Sequence, residues 1–366
     1  MNILILSTHM NSGGITSYIW RLVKILSKAG HQIIVVSSGG NMVEEIRSFG
    51  GEHVTLNIRT KSELSPKIYF ALPKLVKLIR EKNIDIIHSQ TRVTQVMGFI
   101  LGKLTGRPYI STCHGFYKKR LWRRLFPCWG DAVAAISVAV REHLICDFGV
   151  SKDKVFLIHH GIDSARFKPA GEEEKRTRRL EFGLKGESVI GIIARLSKEK
   201  GHKTLLLAMK KVVEKIPAAL LLIIGLGRLE GELKKMTRDL GLDRHVRFFP
   251  VINHPAEVLE IFDVSVAPSL EEGFGLSIIE SQAAGVPVVA SRTGGIVDLI
   301  KDTETGLLVE PGDADALSDA VIFLLMNRAK AKEISLAARK FIEEELSIDT
   351  MMEKTLALYR FVINKT

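Results

Sequence analysis

The sequence predicts an α/β protein of two domains, each built on a parallel sheet. Strand-sized apolar runs alternate with helix-length spacings along the whole chain, the pattern that strand-helix-strand crossovers produce. At 366 residues and 46% apolar content the chain is long enough for two cores of ordinary size. Between two sets of runs, Lys168-Pro169-Ala170-Gly171 and the charged stretch Glu172 to Arg179 read as a linker followed by a solvated segment. The domain boundary is therefore expected near residue 168, giving domains over 1–167 and 168–345 and a terminal helix over 346–366.

The first set of runs is Ile3 to Leu6, Ile33 to Ser37, Ile84 to His88, Tyr109 to Thr112, Ala132 to Ile136 and Val155 to His159. The opening stretch, Met1 to Leu6, has no basic start and breaks into polar Ser7-Thr8-His9, so it reads as a buried parallel strand and no export signal is expected. Gly13-Gly14 then precedes a helix beginning near Ile15, a turn where backbone without Cβ atoms can approach a ligand. Its spacing is not G-x-G-x-x-G, which argues against a dinucleotide fingerprint. Lys67 to Arg80 carries Leu72, Leu75, Val76 and Ile79 at helical spacing with Lys74, Lys77 and Arg80 between them: an amphipathic core helix, or an extension of a basic surface. The second set is Val189 to Ala194, Ala219 to Ile224, Val246 to Phe249, Val264 to Ala267, Val288 to Ala290 and Leu307 to Val309. The longest apolar run, Ala218 to Ile224, is far short of the ~20 residues that span a bilayer. Asp313-Ala314-Asp315 follows Pro311-Gly312 and opens an amphipathic run, where Asp is expected as a helix cap and not as a metal ligand. The final helix places Met352, Leu356, Tyr359 and Ile363 on one stripe.

Charge is unevenly spread. Residues 1–165 hold 22 Lys and Arg against 11 Asp and Glu, and residues 166–366 hold 30 of each, so the net charge of +11 belongs to the first half. That half is expected to face something anionic. Within it, Lys118-Lys119-Arg120-Leu121-Trp122-Arg123-Arg124-Leu125-Phe126 sets five cations among aromatic and aliphatic residues without an acid, a composition suited to an anionic membrane surface. A solvated helix whose basic stems cover the domain is the plainer alternative. Nucleic acid is not expected, since no helix-turn-helix, zinc-finger or RNP-like signature accompanies the patch. Cys113, Cys128 and Cys146 are odd in number and lack metal-ligand spacing, so buried or half-buried thiols in a reducing cytoplasm are expected rather than disulfides.

The most informative stretch is Pro268-Ser269-Leu270-Glu271-Glu272-Gly273-Phe274-Gly275-Leu276-Ser277-Ile278-Ile279-Glu280. A carboxylate stands just before a glycine-flanked turn, a helix opens there, and a second carboxylate follows eight positions later; Gly285 and Pro287 end that helix before an apolar strand. Backbone N–H groups at Phe274 to Ser277 and the positive end of the helix dipole suit a phosphate, and Glu272 and Glu280 can accept from sugar hydroxyls. A nucleotide sugar offers both chemistries.

With Gly-Phe-Gly-Leu inside it, the Glu272-x7-Glu280 spacing resembles the E-x7-E signature of retaining glycosyltransferases of the GT-B fold, in the family 4 or glycosyl transferases group 1 set. The resemblance implies two Rossmann-like domains with a cleft between them, the second binding the nucleotide sugar, and a terminal helix that crosses back to brace the first. It implies a UDP- or GDP-linked sugar as co-substrate, no cofactor and no required metal. Arg195-Leu196-Ser197-Lys198-Glu199-Lys200-Gly201 looks like the family's R-L-x-x-x-K-G clamp, with Ala194 in place of the usual glycine; Arg195 and Lys200 would hold the diphosphate in place of Mg²⁺. His114, before Gly115 at a strand end, falls where the family places a histidine beside the transferring sugar. Gly13 and Gly14 would approach the diphosphate or sugar, and Gly225, Val251 and Ile252 fall where relatives bind the base through backbone. His160 in His159-His160-Gly161-Ile162-Asp163 stands where Asn is commoner and is given no role.

The mechanism implied is front-face retaining transfer, in which the departing phosphate oxygen takes the acceptor's proton. Arg195, Lys200 and the helix after Phe274, Gly275 and Leu276 would stabilise that phosphate, Glu272 would fix the sugar's hydroxyls and Glu280 the ribose. Hinge closure would exclude water. A lipid-linked, lipopolysaccharide or other envelope acceptor fits the charge asymmetry, with Lys118, Lys119, Arg120, Trp122, Arg123 and Arg124 as its docking surface and the enzyme cytoplasmic, peripheral on the inner face of the membrane. Two other classes stay open: a sugar-nucleotide epimerase of similar fold, revealed by conversion of donor without acceptor, and a non-catalytic membrane-surface protein, which would bind vesicles but no nucleotide.

Overall fold

The computed structural model describes residues 1–366 other than 120–122, 124, 251–254 and 366. It divides into two compact units, one comprising Met1–Gly161 with Ile348–Thr366 and the other Ile162–Ser347. The chain thus changes unit at 161 rather than 167. The reason lies in residues 162–167: the Ile162 N–H donates to the Leu346 carbonyl at 2.9 Å and Arg339 donates to the Phe167 carbonyl at 2.9 Å, which ties this stretch to the second unit's own helices.

The first unit is built on seven strands, β1 (Asn2–Leu6), β2 (Gln32–Ser37), β3 (Glu52–Thr55), β4 (Ile86–Ser89), β5 (Tyr109–Cys113), β6 (Ala132–Ala135) and β7 (Val155–Leu157). They lie in the order β3-β2-β1-β4-β5-β6-β7, and every pairing is parallel. Alternation along β1 shows why such strands read as unbroken apolar runs. Ile3 and Ile5 enter a core shared with the helices Gly14–Lys28 and Ile348–Ile363, while Leu4 and Leu6 enter the opposite core under Pro66–Glu81 and Arg92–Thr105. Each such side chain, fully buried, contributes about 1.5–3 kcal/mol relative to exposure.

The terminal helix Ile348–Ile363 belongs to this unit. Its buried residues are Met351, Thr355, Leu358, Tyr359 and Val362; of the expected stripe only Tyr359 is fully buried, and Met352, Leu356 and Ile363 pack at the edge. The Tyr359 hydroxyl meets His88 Nδ1 at 2.7 Å inside the core, and His88 Nε2 meets Thr112 Oγ1 at 2.7 Å.

The second unit has six strands, β8 (Ser188–Ile193), β9 (Ala219–Ile224), β10 (Val246–Phe249), β11 (Val264–Ala267), β12 (Val288–Ser291) and β13 (Leu307–Val309), in the order β10-β9-β8-β11-β12-β13. All pairings are parallel. In each sheet the chain runs outward from a central strand and then returns to that strand's other side, so the connections diverge between β1 and β4 and between β8 and β11. In open parallel sheets ligands bind outside the carboxyl ends at such a point.

Candidate active site

In the second unit the loops that leave β8, β9, β11 and β12 are stitched together through backbone. The Glu199 carbonyl accepts from the Leu270 N–H at 2.8 Å, the Leu196 N–H donates to the Leu226 carbonyl at 3.0 Å, and the Gly295 N–H donates to the Glu272 carbonyl at 3.0 Å. Gly201 makes the closest approach possible. Its φ is 67°, and a Cβ there would lie 1.7 Å from the Pro268 carbonyl oxygen, so only glycine lets the β8 loop press on the β11 loop. Gly225 does the same on the other side, where a Cβ would lie 2.0 Å from the Ala194 carbonyl oxygen.

This packing joins Lys200 to Glu272. The lysine Nζ donates to Glu272 Oε2, and Ser269 Oγ donates to the same oxygen at 3.3 Å. Both charged side chains are largely buried, so a cation and an anion are held half out of water where β8 and β11 diverge. Such a pair is costly to desolvate and gains from a ligand that offers each charge a partner. Arg195 is placed differently: its guanidinium is largely exposed and ion-paired at 2.7 Å with Glu199. The Glu199 carboxyl is held below its usual range: partial burial pushes it up, but its own backbone N–H, Ser197 and Arg195 outweigh that. Glu199 was missed from the sequence, although a carboxylate four residues after an arginine is a recognisable spacing.

Phe274 is buried and Gly275, with φ 109°, is the N-cap of the helix Leu276–Ala283, which no side chain caps. Its first turn therefore begins on bare backbone directly after Glu272. Glu280 sits half-buried on that helix. Val251 and Ile252 lie outside the described residues. Asp313 is a helix cap, its Oδ1 accepting from the Ala316 N–H at 2.9 Å.

In the first unit His114 follows β5, and its Nε2 lies 2.9 Å from Oε1 of Gln90, a fully buried residue that follows the neighbouring β4. The Gln90 amide thus holds the ring at Nε2; with its oxygen toward the imidazole, that nitrogen carries the proton. Tyr18 meets the His114 ring edge-on at 5.0 Å and the His160 ring at 4.8 Å, and the two imidazoles lie 5.6 Å apart. His114 as a whole is only partly buried, yet burial pushes its imidazole pKa down to about 3. His114 is thus neutral at neutral pH. His160 packs against it, and Gln90 orients it; neither role was visible in sequence. Gly13 is the N-cap of the helix Gly14–Lys28, where a Cβ would meet only the Asn11 carbonyl oxygen, at 4.0 Å, and Gly14 is exposed. The loop that holds them is fixed by Asn41, whose Oδ1 accepts from the Ser12 N–H at 2.9 Å and whose Nδ2 donates to Ser12 Oγ at 2.8 Å.

The basic segment is less cationic than it reads. Lys119 is ion-paired with Asp147 at 2.7 Å, and Arg123 is only 14% exposed, paired with Glu63 at 3.0 Å and stacked over Tyr117. Lys118 is exposed. Arg120, Trp122 and Arg124 lie outside the described residues. Of the cysteines, Cys113 and Cys128 are buried and Cys146 is exposed.

Residues 174–341 match the family profile for glycosyl transferases group 1, and residues 12–166 match that for glycosyltransferase family 4. The chain belongs to the group 1 glycosyltransferases. This enzyme is 29% identical, over 81% of its chain and 80% of the relative's, to the UDP-Gal:alpha-D-GlcNAc-diphosphoundecaprenol alpha-1,3-galactosyltransferase of Escherichia coli. It is 28% identical to the GDP-mannose-dependent alpha-(1-6)-phosphatidylinositol monomannoside mannosyltransferase of Mycolicibacterium smegmatis, over 89% of each chain. A glycosyltransferase from Rickettsia africae, 24% identical, superposes with a TM-score of 0.89 over 100% of this chain and 99% of the other, and shares the GT-B fold.

Proposed function

We propose that this glycosyltransferase moves a hexosyl group from a UDP- or GDP-linked sugar to an acceptor hydroxyl, with retention at the anomeric carbon and without a metal ion. The observation that carries the reading is the Lys200–Glu272 pair, held half-buried at the divergence of β8 and β11 with an uncapped helix start beside it. An arriving diphosphate gives Lys200 a stronger partner, and the helix tip supplies backbone donors to the same anion. Glu272 is then released to the sugar's hydroxyls. Arg195, exposed and tethered only to Glu199, reaches the outer phosphate, and Glu280 takes the ribose. Cationic side chains in these places do the charge neutralisation that a divalent ion does elsewhere.

As the bond from C1 to the diphosphate oxygen breaks, the acceptor oxygen bonds C1 on the same face and its proton passes to the departing phosphate oxygen. Glu272 is engaged by Lys200 and Ser269, which suits it to binding rather than attack. His114, neutral, is suited to meet a sugar as a hydrogen-bonding group and not as an acid. The two named relatives use UDP-galactose and GDP-mannose and act on lipid-linked acceptors. That supports either base and a lipid-linked envelope acceptor here. The test is turnover of a panel of UDP- and GDP-sugars in excess chelator, with the anomeric configuration of the product read by NMR. Lys200→Ala and Glu272→Ala should each lower turnover by roughly 10²–10³ while folding normally. Undiminished turnover in either variant, or an inverted product, would contradict the proposal.

A further inference from the structure

Among the described residues, the two most exposed large apolar side chains of the molecule are Phe70, 82% exposed, and Leu64, 77% exposed. They lie six residues apart at the start of the helix Pro66–Glu81. Tyr69 beside Phe70 is also exposed, and so are Leu125 and Phe126. One ionic clamp brings the two segments together. The Glu63 carboxylate is paired with Arg92 at 3.2 Å and with Arg123 at 3.0 Å, and the Arg92 guanidinium donates to the carbonyls of Phe126, at 2.7 Å, and Pro127. Leu64 on one side and Leu125-Phe126 on the other therefore flank the same buried arginine.

The charge around this patch is predominantly positive. Residues 57–81 contain six Lys and Arg and two acids: Glu63, whose carboxylate two arginines already share, and Glu81 at the far end of the helix, paired with Lys77 at 3.6 Å. On the helix, the exposed Lys67 and Lys74 stand three residues before and four after Phe70, so they flank its ring on one face. Ile68, Ala71, Leu75 and Ile79 of the same helix are buried in the core, which fixes the outward direction of the Phe70 face. No described helix is long and apolar enough to cross a membrane.

We infer that this face, Leu64, Tyr69 and Phe70 with Lys67 and Lys74, is a docking surface for an anionic lipid bilayer, the rings entering the headgroup boundary while the ammonium groups meet lipid phosphates. Charge complementarity selects this occupant. A second copy of the chain would bring Lys67 and Lys74 against themselves, whereas an anionic leaflet attracts both. The surface differs from the basic run at 118–124, in which Lys119 and Arg123 are already neutralised by carboxylates. It extends the proposal of a lipid-linked acceptor by stating where the enzyme meets the lipid, and it is read without any turnover.

The experiment is sedimentation of the full chain with vesicles of phosphatidylcholine alone or mixed with phosphatidylglycerol, paired with Phe70→Trp fluorescence quenched by brominated lipid. The wild type should partition to the phosphatidylglycerol vesicles, lose affinity as salt rises, and show a quenched Trp in the Phe70→Trp variant. Leu64→Ser with Phe70→Ser should weaken partition by at least about tenfold, and Lys67→Glu with Lys74→Glu by a similar factor. Both double variants sit on exposed positions and should keep donor hydrolysis. Equal partition of wild type and the serine variant, an unquenched Trp, or a concentration-dependent dimer abolished by Phe70→Ser would overturn the inference. Loss of donor hydrolysis in the wild type would instead strike the catalytic proposal and leave this one standing.

Discussion

Gln90 determines how His114 presents itself. The amide holds the imidazole at Nε2, and surrounding burial keeps the ring neutral with a pKa pushed down to about 3. Gln90 is therefore a positioning residue, and Gln90→Glu tests it. A carboxylate 2.9 Å from Nε2 favours the imidazolium, so the His114 pKa should rise toward neutrality. In the proposed mechanism the neutral ring is the competent form, so the variant should lose turnover progressively as pH falls below the raised value, where the wild type stays flat. Coincident pH-rate profiles would show that Gln90 does not set the state of His114. Nothing in the sequence pointed to Gln90, since a glutamine one residue after a strand has no motif around it and acquires its role only because β4 and β5 are neighbours. Glu63 and Asp147 were illegible for the same reason. They neutralise Arg123 and Lys119 across separations of sixty and twenty-eight residues, and a window that sees only residues 118–126 sees no acid.

At the level of elements, twelve of the thirteen described strands coincide with apolar runs to within two residues at either end, because a strand covered on both faces leaves an unbroken run in sequence. One had no run at all. The run Ile84 to His88 begins two residues early because Ile84, just before β4, is itself buried. β3, Glu52–Thr55, escaped because it is an edge strand with a single polar-leaning face and only four residues, Glu-His-Val-Thr. The terminal helix was legible as amphipathic, but its buried face runs through Met351, Thr355, Leu358, Tyr359 and Val362, so it meets the apparent stripe at Tyr359 and lies one position before it at the other three places. The β8 loop was readable as a motif, and its reason is geometric. Gly201→Ala must push a methyl carbon against the Pro268 carbonyl in a left-handed backbone, so thermal unfolding should show a loss of about 2 kcal/mol or more, with the Lys200–Glu272 contact displaced and donor turnover reduced. Wild-type stability and turnover in this variant would mean that the two loops are not pressed together as described.

At the scale of the whole molecule, the order of strands does the most. Each unit diverges from a central strand, and in the second unit that divergence is where Lys200, Glu272 and the start of the helix Leu276–Ala283 are assembled from stretches seventy residues apart. The terminal helix is tied into the first unit by Tyr359 and His88, so the last element of the chain completes the first core. The central claim is that cations and a helix tip in the second unit grip a diphosphate without metal. Isothermal titration calorimetry of UDP and GDP into the full chain in excess EDTA tests it most directly. Saturable binding of at least one nucleotide is expected, with at least a tenfold loss, about 1.4 kcal/mol, in Lys200→Ala. Binding that vanishes on chelation, or that Lys200→Ala leaves unchanged, would contradict it.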